Sequence, residues 1–216
     1  MSNSPLITLA DPRSPVTEAF RTLRTNLIFS SLDHPLTTLL VTSATPDDEK
    51  SLTLANLAVT MAQGGRRTIL VDCDLRRPLQ AGIFGVAAQP GLTEFVLGGS
   101  DQPALAATGV EGLQLLPAGS QSPNPADLLS SRRMEAAIAT LRTQADVVLF
   151  DAPPVLAVTD AALLASKLDG VLLVVTAGQT RREHAQRAKD LLEKIHVRIV
   201  GTVLTNATVD RSVSTY

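Results

Sequence analysis

The stretch TLLVTSATPDDEKSLTLANLA, residues 38–58, decides the fold. Residues 38–42 are apolar or β-branched with no polar alternation, which predicts a short strand buried on both faces. A polar loop follows at 43–49. A helix is predicted from about residue 50 to Gly64-Gly65, whose glycines stop it. The same strand–connection–helix unit recurs outward from this point. Strands are predicted at 68–72, 113–117, 147–151, 170–176 and 199–204. Helices are predicted at 126–143, 159–167 and 180–195, while 76–109, broken by Pro and Gly, reads as loops and short helices. Continuous apolar strands alternating with helices predict an α/β fold: a doubly wound, mostly parallel sheet with helices on both faces.

Upstream, Val16, Phe20, Leu23, Leu27 and Ile28 recur at helical spacing over 15–33, and Glu18, Arg21 and Arg24 share another face of that helix. The expected division is a flexible, extended segment at 1–15, one domain over 16–206, and a polar flexible tail at 207–216.

Composition bounds the function. The 216 residues suit one sizeable domain, and 44% hydrophobic content supports a core that only 3% aromatics leaves aliphatic. A formal net charge of −2 argues against nucleic-acid binding. The single cysteine, Cys73, excludes an internal disulfide and a cysteine metal cluster, which suits a reducing compartment. The longest apolar runs are strand-sized, and the N-terminus lacks the basic start and apolar centre of a signal peptide. The expectation is a cytoplasmic chain whose contact with a membrane comes only through a partner. His34, His184 and His196 have no metal-ligand partner at useful spacing, and Arg181, Arg182, Arg187 and Lys189 read as a solvated basic face.

In an open α/β sheet, ligands bind at the carboxyl ends of the strands. Three strand ends carry suggestive residues. The loop SATPDDEKS, 43–51, sits between a strand and a helix, the context of a Walker A phosphate loop. There Lys50 would reach terminal phosphates and the Ser51 hydroxyl would ligate Mg²⁺. Asp72-Cys73-Asp74 ends the second strand, and Asp151 ends VVLF as a Walker B aspartate would. Taken singly, a Lys-Ser pair can be a plain helix start and an Asp a turn residue. Jointly, strand-end carboxylates with a Lys-Ser pair make a metal–phosphate constellation, since Mg²⁺ prefers carboxylate, hydroxyl and phosphate oxygens.

SATPDDEKSLTLANLA, ILVDCDLRRP, LLPAGSQSPNPADLL, VVLFDAPPV and TDAALLASKLDGVLLVV together resemble the bacterial tyrosine kinases. These are cytoplasmic P-loop kinases of capsule and exopolysaccharide synthesis, related to the MinD/ParA ATPases. The resemblance runs from about residue 14 to about residue 206. It implies ATP and Mg²⁺ as cofactors, with Lys50 and Ser51 as the Walker A pair, Asp72 and Asp74 as the second Walker motif, and Asp151 as the Walker B residue. Catalysis would then fall to Lys50, Asp72, Asp74 and Asp151, and the metal to Ser51, Asp72 and Asp151. Nucleotide contacts would come from Ser43, Ala44, Thr45, Pro46, Asp47, Asp48, Glu49, Lys50, Ser51 and Leu52, with Asn206 near the adenine. EAFRTLRTNL looks like the family's E-x-x-R-x-x-R motif, which implies a ring-like homo-oligomer joined through Glu18, Arg21 and Arg24. The partner would be a membrane polysaccharide co-polymerase. The phosphoacceptor would be Tyr216, the chain's single tyrosine.

The loop departs from the family's S-x-x-P-G-E-G-K-S-T. Asp47 and Glu49 replace both glycines, and Leu52 replaces the final Thr. Glycine lets backbone amides wrap a phosphate closely, and forcing an L-residue to φ > 0 there costs roughly 1 kcal/mol or more. A carboxylate about 6 Å from a phosphate charge adds about 3 kcal/mol of repulsion at an effective dielectric of 20, before screening. Three readings follow. The first is a kinase that phosphorylates its own tail. The second is a pseudokinase, impaired in nucleotide binding, that scaffolds or regulates the co-polymerase. The third, a MinD/ParA-type positioning ATPase, is disfavoured because the loop lacks the earlier lysine.

Overall fold

Strands β1 (Thr38–Ser43), β2 (Thr68–Asp72) and β5 (Val147–Asp151) are buried along their whole length, as their unbroken apolar sequences predict. The computed structural model describes residues 6–30, 32–46 and 48–207. Among these, a single seven-stranded sheet runs β3-β4-β2-β5-β1-β6-β7. It adds β3 (Ala106–Ala107), β4 (Leu113–Leu116), β6 (Gly170–Thr176) and β7 (Ile199–Thr205). All neighbours are parallel except the β3–β4 pair. Alternate residues of one strand feed opposite cores: Ile69, Val71, Val148 and Phe150 on one face, Leu70, Val147 and Leu149 on the other. That is the period-two geometry of a strand. The expected doubly wound sheet is therefore present.

On the second of these faces, α3 (Lys50–Gln63) packs Leu54, Leu57 and Ala58 into the core. Beside it, α2 (Pro15–Ser30) buries Leu27 and leaves Val16 and Phe29 exposed. Residues 1–15, expected to be extended, instead include α1 (Ile7–Ala10) within their described part. The reason is a buried polar clamp. The Thr8 amide and hydroxyl both donate to Asn56 Oδ1, at 3.1 and 2.9 Å, and the Thr17 hydroxyl donates to the Asp11 carbonyl. With Leu6 only 1% exposed, the segment belongs to the core.

On the first face, the helix expected over 126–143 is two helices, α6 (Pro125–Ser130) and α7 (Arg132–Gln144). Ser131 separates them. It is extended (φ −66°, ψ 155°), and its hydroxyl oxygen accepts from the Met134 amide, so it caps the second helix. Residues 76–109 contain α4 (Gln80–Phe84), α5 (Leu92–Leu97) and β3, a strand too short to read from sequence. Close approach at Gly91 anchors this region: a Cβ there would lie 2.2 Å from the Pro117 carbonyl oxygen. Glu94 accepts from the Gly91 and Ser120 amides at 2.7 and 2.8 Å. Burial works against its charged form, but these hydrogen bonds outweigh it and hold the carboxyl at about 2. The Pro117-Ala118-Gly119 signature thus ties the end of β4 to α5. The remaining elements are α8 (Asp160–Ala165) and α9 (Arg182–Lys194). No helix among the described residues is long and apolar enough to cross a membrane.

Candidate functional site at the carboxyl ends of β1, β2 and β5

The chain leaves β1 for β2 and later returns to place β5 between them. This insertion opens the crevice that an α/β sheet offers to ligands at its topological switch point. It also sets Asp72 directly beside Asp151 in the parallel register. The β1–α3 loop closes over the same ends, so all three predicted strand-end motifs meet.

At their meeting point lies Lys50. Its Nζ is 2.9 Å from Asp151 Oδ1, 3.0 Å from Asp74 Oδ2 and 3.1 Å from Ser51 Oγ. Lys50 is 6% exposed and Asp151 is wholly buried. Burial alone would lower the Lys50 pKa, but Asp151 and Asp74 outweigh it and the net shift is upward. Asp72 is raised to about 8, first by burial and then by the Asp151 charge, against the amide of Gln80 and the Lys50 ammonium. Its carboxylate accepts from the main-chain amides of Asp74, Leu79 and Gln80 at 3.2, 3.0 and 3.0 Å. Asp72 therefore builds the turn that starts α4, while Asp74 and Asp151 face the lysine. Cys73 lies between, fully buried, and its amide donates to the Asp151 carbonyl.

A cavity of about 250 Å³ opens here, lined by Pro46, Asp48, Lys50, Ser51, Asp74 and Arg77 among others. Two wider clefts, about 540 and 550 Å³, lie around Arg67 and Gly112 at the amino ends of the strands. They are far from every strand-end carboxylate, so chemistry rather than size selects the smaller cavity. No group of three or more His, Cys, Asp or Glu side chains among the described residues is arranged to hold a metal. The donor set that is present, the Ser51 hydroxyl with aspartate oxygens, fits a Mg²⁺ that keeps waters and takes phosphate oxygens as its other ligands.

Sequence reasoning missed the role of Asp48. This residue, 6% exposed, accepts from the Thr45 amide and hydroxyl at 2.9 and 3.1 Å and from the Thr176 amide at 3.1 Å. It also accepts from the Thr180 hydroxyl. It latches the loop to the end of β6. Its signal was the T-x-x-D spacing of Thr45 and Asp48, the arrangement in which an acid reaches back to an amide three residues earlier. The Asp48 amide donates to the Thr45 carbonyl and the Lys50 amide to the Asp48 carbonyl, at 3.3 and 2.8 Å. Glu49 has φ −77°, so the backbone strain expected of a residue replacing glycine is absent there. The loop has refolded around its own oxygens instead. Asp47 and Tyr216 lie outside the described residues.

Gln80 was also missed, and nothing in its sequence context marks it. It is fully buried, and its Nε2 donates to Asp151 Oδ2 at 2.8 Å and to the Ser51 carbonyl at 3.0 Å. Asn206 stands at the end of β7 with φ 53°, and its side chain donates to the Ala177 carbonyl. Away from the strand ends, Arg21 pairs with Glu18 on the surface of α2. Arg24 instead donates to the Thr60 carbonyl at the end of α3, so part of its role is within the chain.

Over 200 residues the chain is 38% identical to tyrosine-protein kinase YwqD of Bacillus subtilis, covering 92% of this chain and 84% of that protein. It is 34% identical to the putative tyrosine-protein kinase CapB of Staphylococcus aureus, over 99% of this chain and 94% of the relative. Among solved structures, the kinase domain of the Escherichia coli tyrosine kinase ETK superposes with a TM-score of 0.91 at 30% identity, covering 100% of this chain and 85% of that one. The chimerical protein CapA2B2 gives 0.88 at 36%, over 92% and 88%. A MinC:MinD complex from Aquifex aeolicus, 20% identical with a TM-score of 0.64, shares the fold. No family model matches the chain.

Proposed function

Because the chain belongs to the bacterial tyrosine-protein kinase family, we propose that it transfers the γ-phosphoryl group of Mg-ATP to tyrosine, Tyr216 of its own tail included, in capsule or exopolysaccharide synthesis. The observation that carries this reading is the Lys50 ammonium set between Asp74 and Asp151 with Ser51 in contact, at the carboxyl ends of three parallel strands. Phosphoryl transfer asks little covalent chemistry of a protein and much positioning and charge. Lys50 would move from its carboxylates to the transferring phosphate. Ser51 and Asp151 would hold Mg²⁺, which supplies charge neutralisation when bound. Asp72, also expected on the metal, fixes the turn behind them. Of Asp72 and Asp74, the two carboxylates considered for the tyrosine proton, Asp74 lines the cavity with Arg77 and would accept it.

A second reading, a pseudokinase scaffold, is favoured by the inward-turned loop amides and by Asp47, Glu49 and Leu52. Incubation with γ-labelled ATP separates the two. The kinase reading expects label on Tyr216, lost in Tyr216→Phe and in Lys50→Met. Absence of label together with absence of Mg-ATP binding by calorimetry would leave the scaffold.

We also assign self-association, and attachment to a membrane co-polymerase, to the α2 face. Glu18 and Arg21 lie on that helix, and Val16 and Phe29 on the same helix are exposed by 46% and 65%. Arg21→Glu, with Arg24 left in place to hold α3, is expected to shift sedimentation toward monomer. A wild type that sediments as monomer at high concentration, alone and with the co-polymerase's cytoplasmic tail, would sink this assignment.

A further inference from the structure

Gln80 holds an unusual position for an amide. Its Nε2 touches two groups that can only accept, the Ser51 carbonyl and the Asp151 carboxylate. The reverse orientation would set oxygen against oxygen, so chemistry fixes the assignment of the amide. The carbonyl oxygen, Oε1, then stands as the one buried side-chain oxygen or nitrogen without a hydrogen-bond partner among the described residues. A buried acceptor without a donor carries an uncompensated desolvation cost, and native structures keep few of them. Because Oε1 shares its amide with Nε2, it lies within about 5 Å of both the Ser51 carbonyl and Asp151 Oδ2, given hydrogen bonds of ordinary length. Asp151 is assigned above to the cation through that carboxylate, and Ser51 through its hydroxyl. The main chain of Gln80 is held in turn by Asp72, through the amides of Leu79 and Gln80.

We propose that Gln80 is a positioning residue of the cation site. Its amide nitrogen holds the end of β5 against the first turn of α3, and its carbonyl oxygen accepts a hydrogen bond from a water in the cation's hydration shell. Mg²⁺ dehydrates reluctantly and keeps several waters, each a donor seeking an acceptor. Removing a group that hydrogen-bonds to a metal's ligands commonly changes metal affinity by about 10–100-fold. The inference rests on the Mg-ATP reading and deepens it. It also gives Asp72 a function that does not require it to touch the metal.

The test is a titration of the full chain with Mn²⁺, followed by electron paramagnetic resonance, with and without ADP. Gln80→Met keeps the length of the side chain and removes both polar atoms. It is expected to weaken Mn²⁺ binding about tenfold in the presence of ADP. Gln80→Glu keeps the acceptor and, with a proton on the oxygen that faces Asp151, the donor as well, so it should bind Mn²⁺ about as tightly as the wild type. Melting curves without cation report the packing role separately, since a residue that only filled space would leave Mn²⁺ affinity equal in the wild type and both variants. Equal affinity overturns the proposal. If Gln80→Met does not fold, Gln80→Leu carries the test: its cation-induced rise in melting temperature should fall below that of the wild type, and an equal rise overturns the proposal. A wild type that binds Mn²⁺ in neither condition overturns both this inference and the Mg-ATP reading. Nucleotide-dependent Mn²⁺ binding that ignores Gln80 overturns this one alone.

Discussion

Replacing Asp47 and Glu49 by glycine together is expected to raise the affinity for Mg-ATP by roughly one to two orders of magnitude, or about 1.4–2.8 kcal/mol. The resting loop explains why the effect appears on binding. Glu49 sits unstrained at φ −77°. The amides of Thr45, Asp48 and Lys50 all donate to oxygens of the loop itself. A phosphate cradle needs such amides turned outward. Glycine reaches the left-handed conformations of such a turn without steric cost, whereas an L-residue loses about 1–2 kcal/mol there. The cost at Glu49 is therefore deferred until a phosphate arrives.

Charge adds a second, separable share. Asp47→Asn with Glu49→Gln should recover only the electrostatic part of the gain. Glu49 is exposed, so that part should shrink at high salt, where charges are screened within about 8–10 Å or less. One calorimetric series, with the wild type, the glycine pair and the amide pair at two ionic strengths, separates the shares. Micromolar binding by the wild type, with no gain in the glycine pair, would mean that the loop is not impaired.

Lys50→Met is expected to destabilise the fold by about 3–5 kcal/mol at pH 8, the usual effect of removing one partner from a buried ion pair. The lysine faces Asp74 and Asp151, which are 5% and 0% exposed, with Asp72 adjoining in the sheet. Without its ammonium, the carboxylates repel one another where little water screens them. Asp72 adds a slope of its own in the wild type. Its folded pKa, about 8, stands above the ordinary aspartate value of 3.8. Its contribution to stability is therefore fully present below about 3.8 and is lost as pH rises through about 8. Urea unfolding of both proteins at pH 6 and pH 8 measures the two effects together. The wild type should lose stability between the two values, and a variant as stable as the wild type at pH 8 would show that the cluster carries little charge.

Much of this was written locally in the sequence. Apolar runs at 38–42, 68–72, 147–151 and 170–176 became fully or almost fully buried strands, because a two-sided parallel strand needs no polar alternation. Lys50, Ser51, Asp72, Asp74 and Asp151 were legible because each stands at a strand end or helix start, where α/β sheets expose function. The break at Ser131 was signalled by the polar run Ser130-Ser131-Arg132-Arg133, which interrupts the apolar period between Leu129 and Met134, but one continuous helix was expected there. The helix at 7–10 was hidden because its stability lies in Asn56, some fifty residues away.

The sequence by itself determined which residue types would gather at the ends of the strands. Only the tertiary structure decided how they divide the work. Register places Asp72 against Asp151, and the insertion of β5 between β1 and β2 brings both to Lys50. The start of α4 swings Gln80 beneath them, and Asp48 turns to Thr176 and Thr180 on another strand end. These are hydrogen bonds that side chains make to partners many residues away. Their partners are chosen by where chain folding leaves buried donors and acceptors to satisfy, and no local period records that choice.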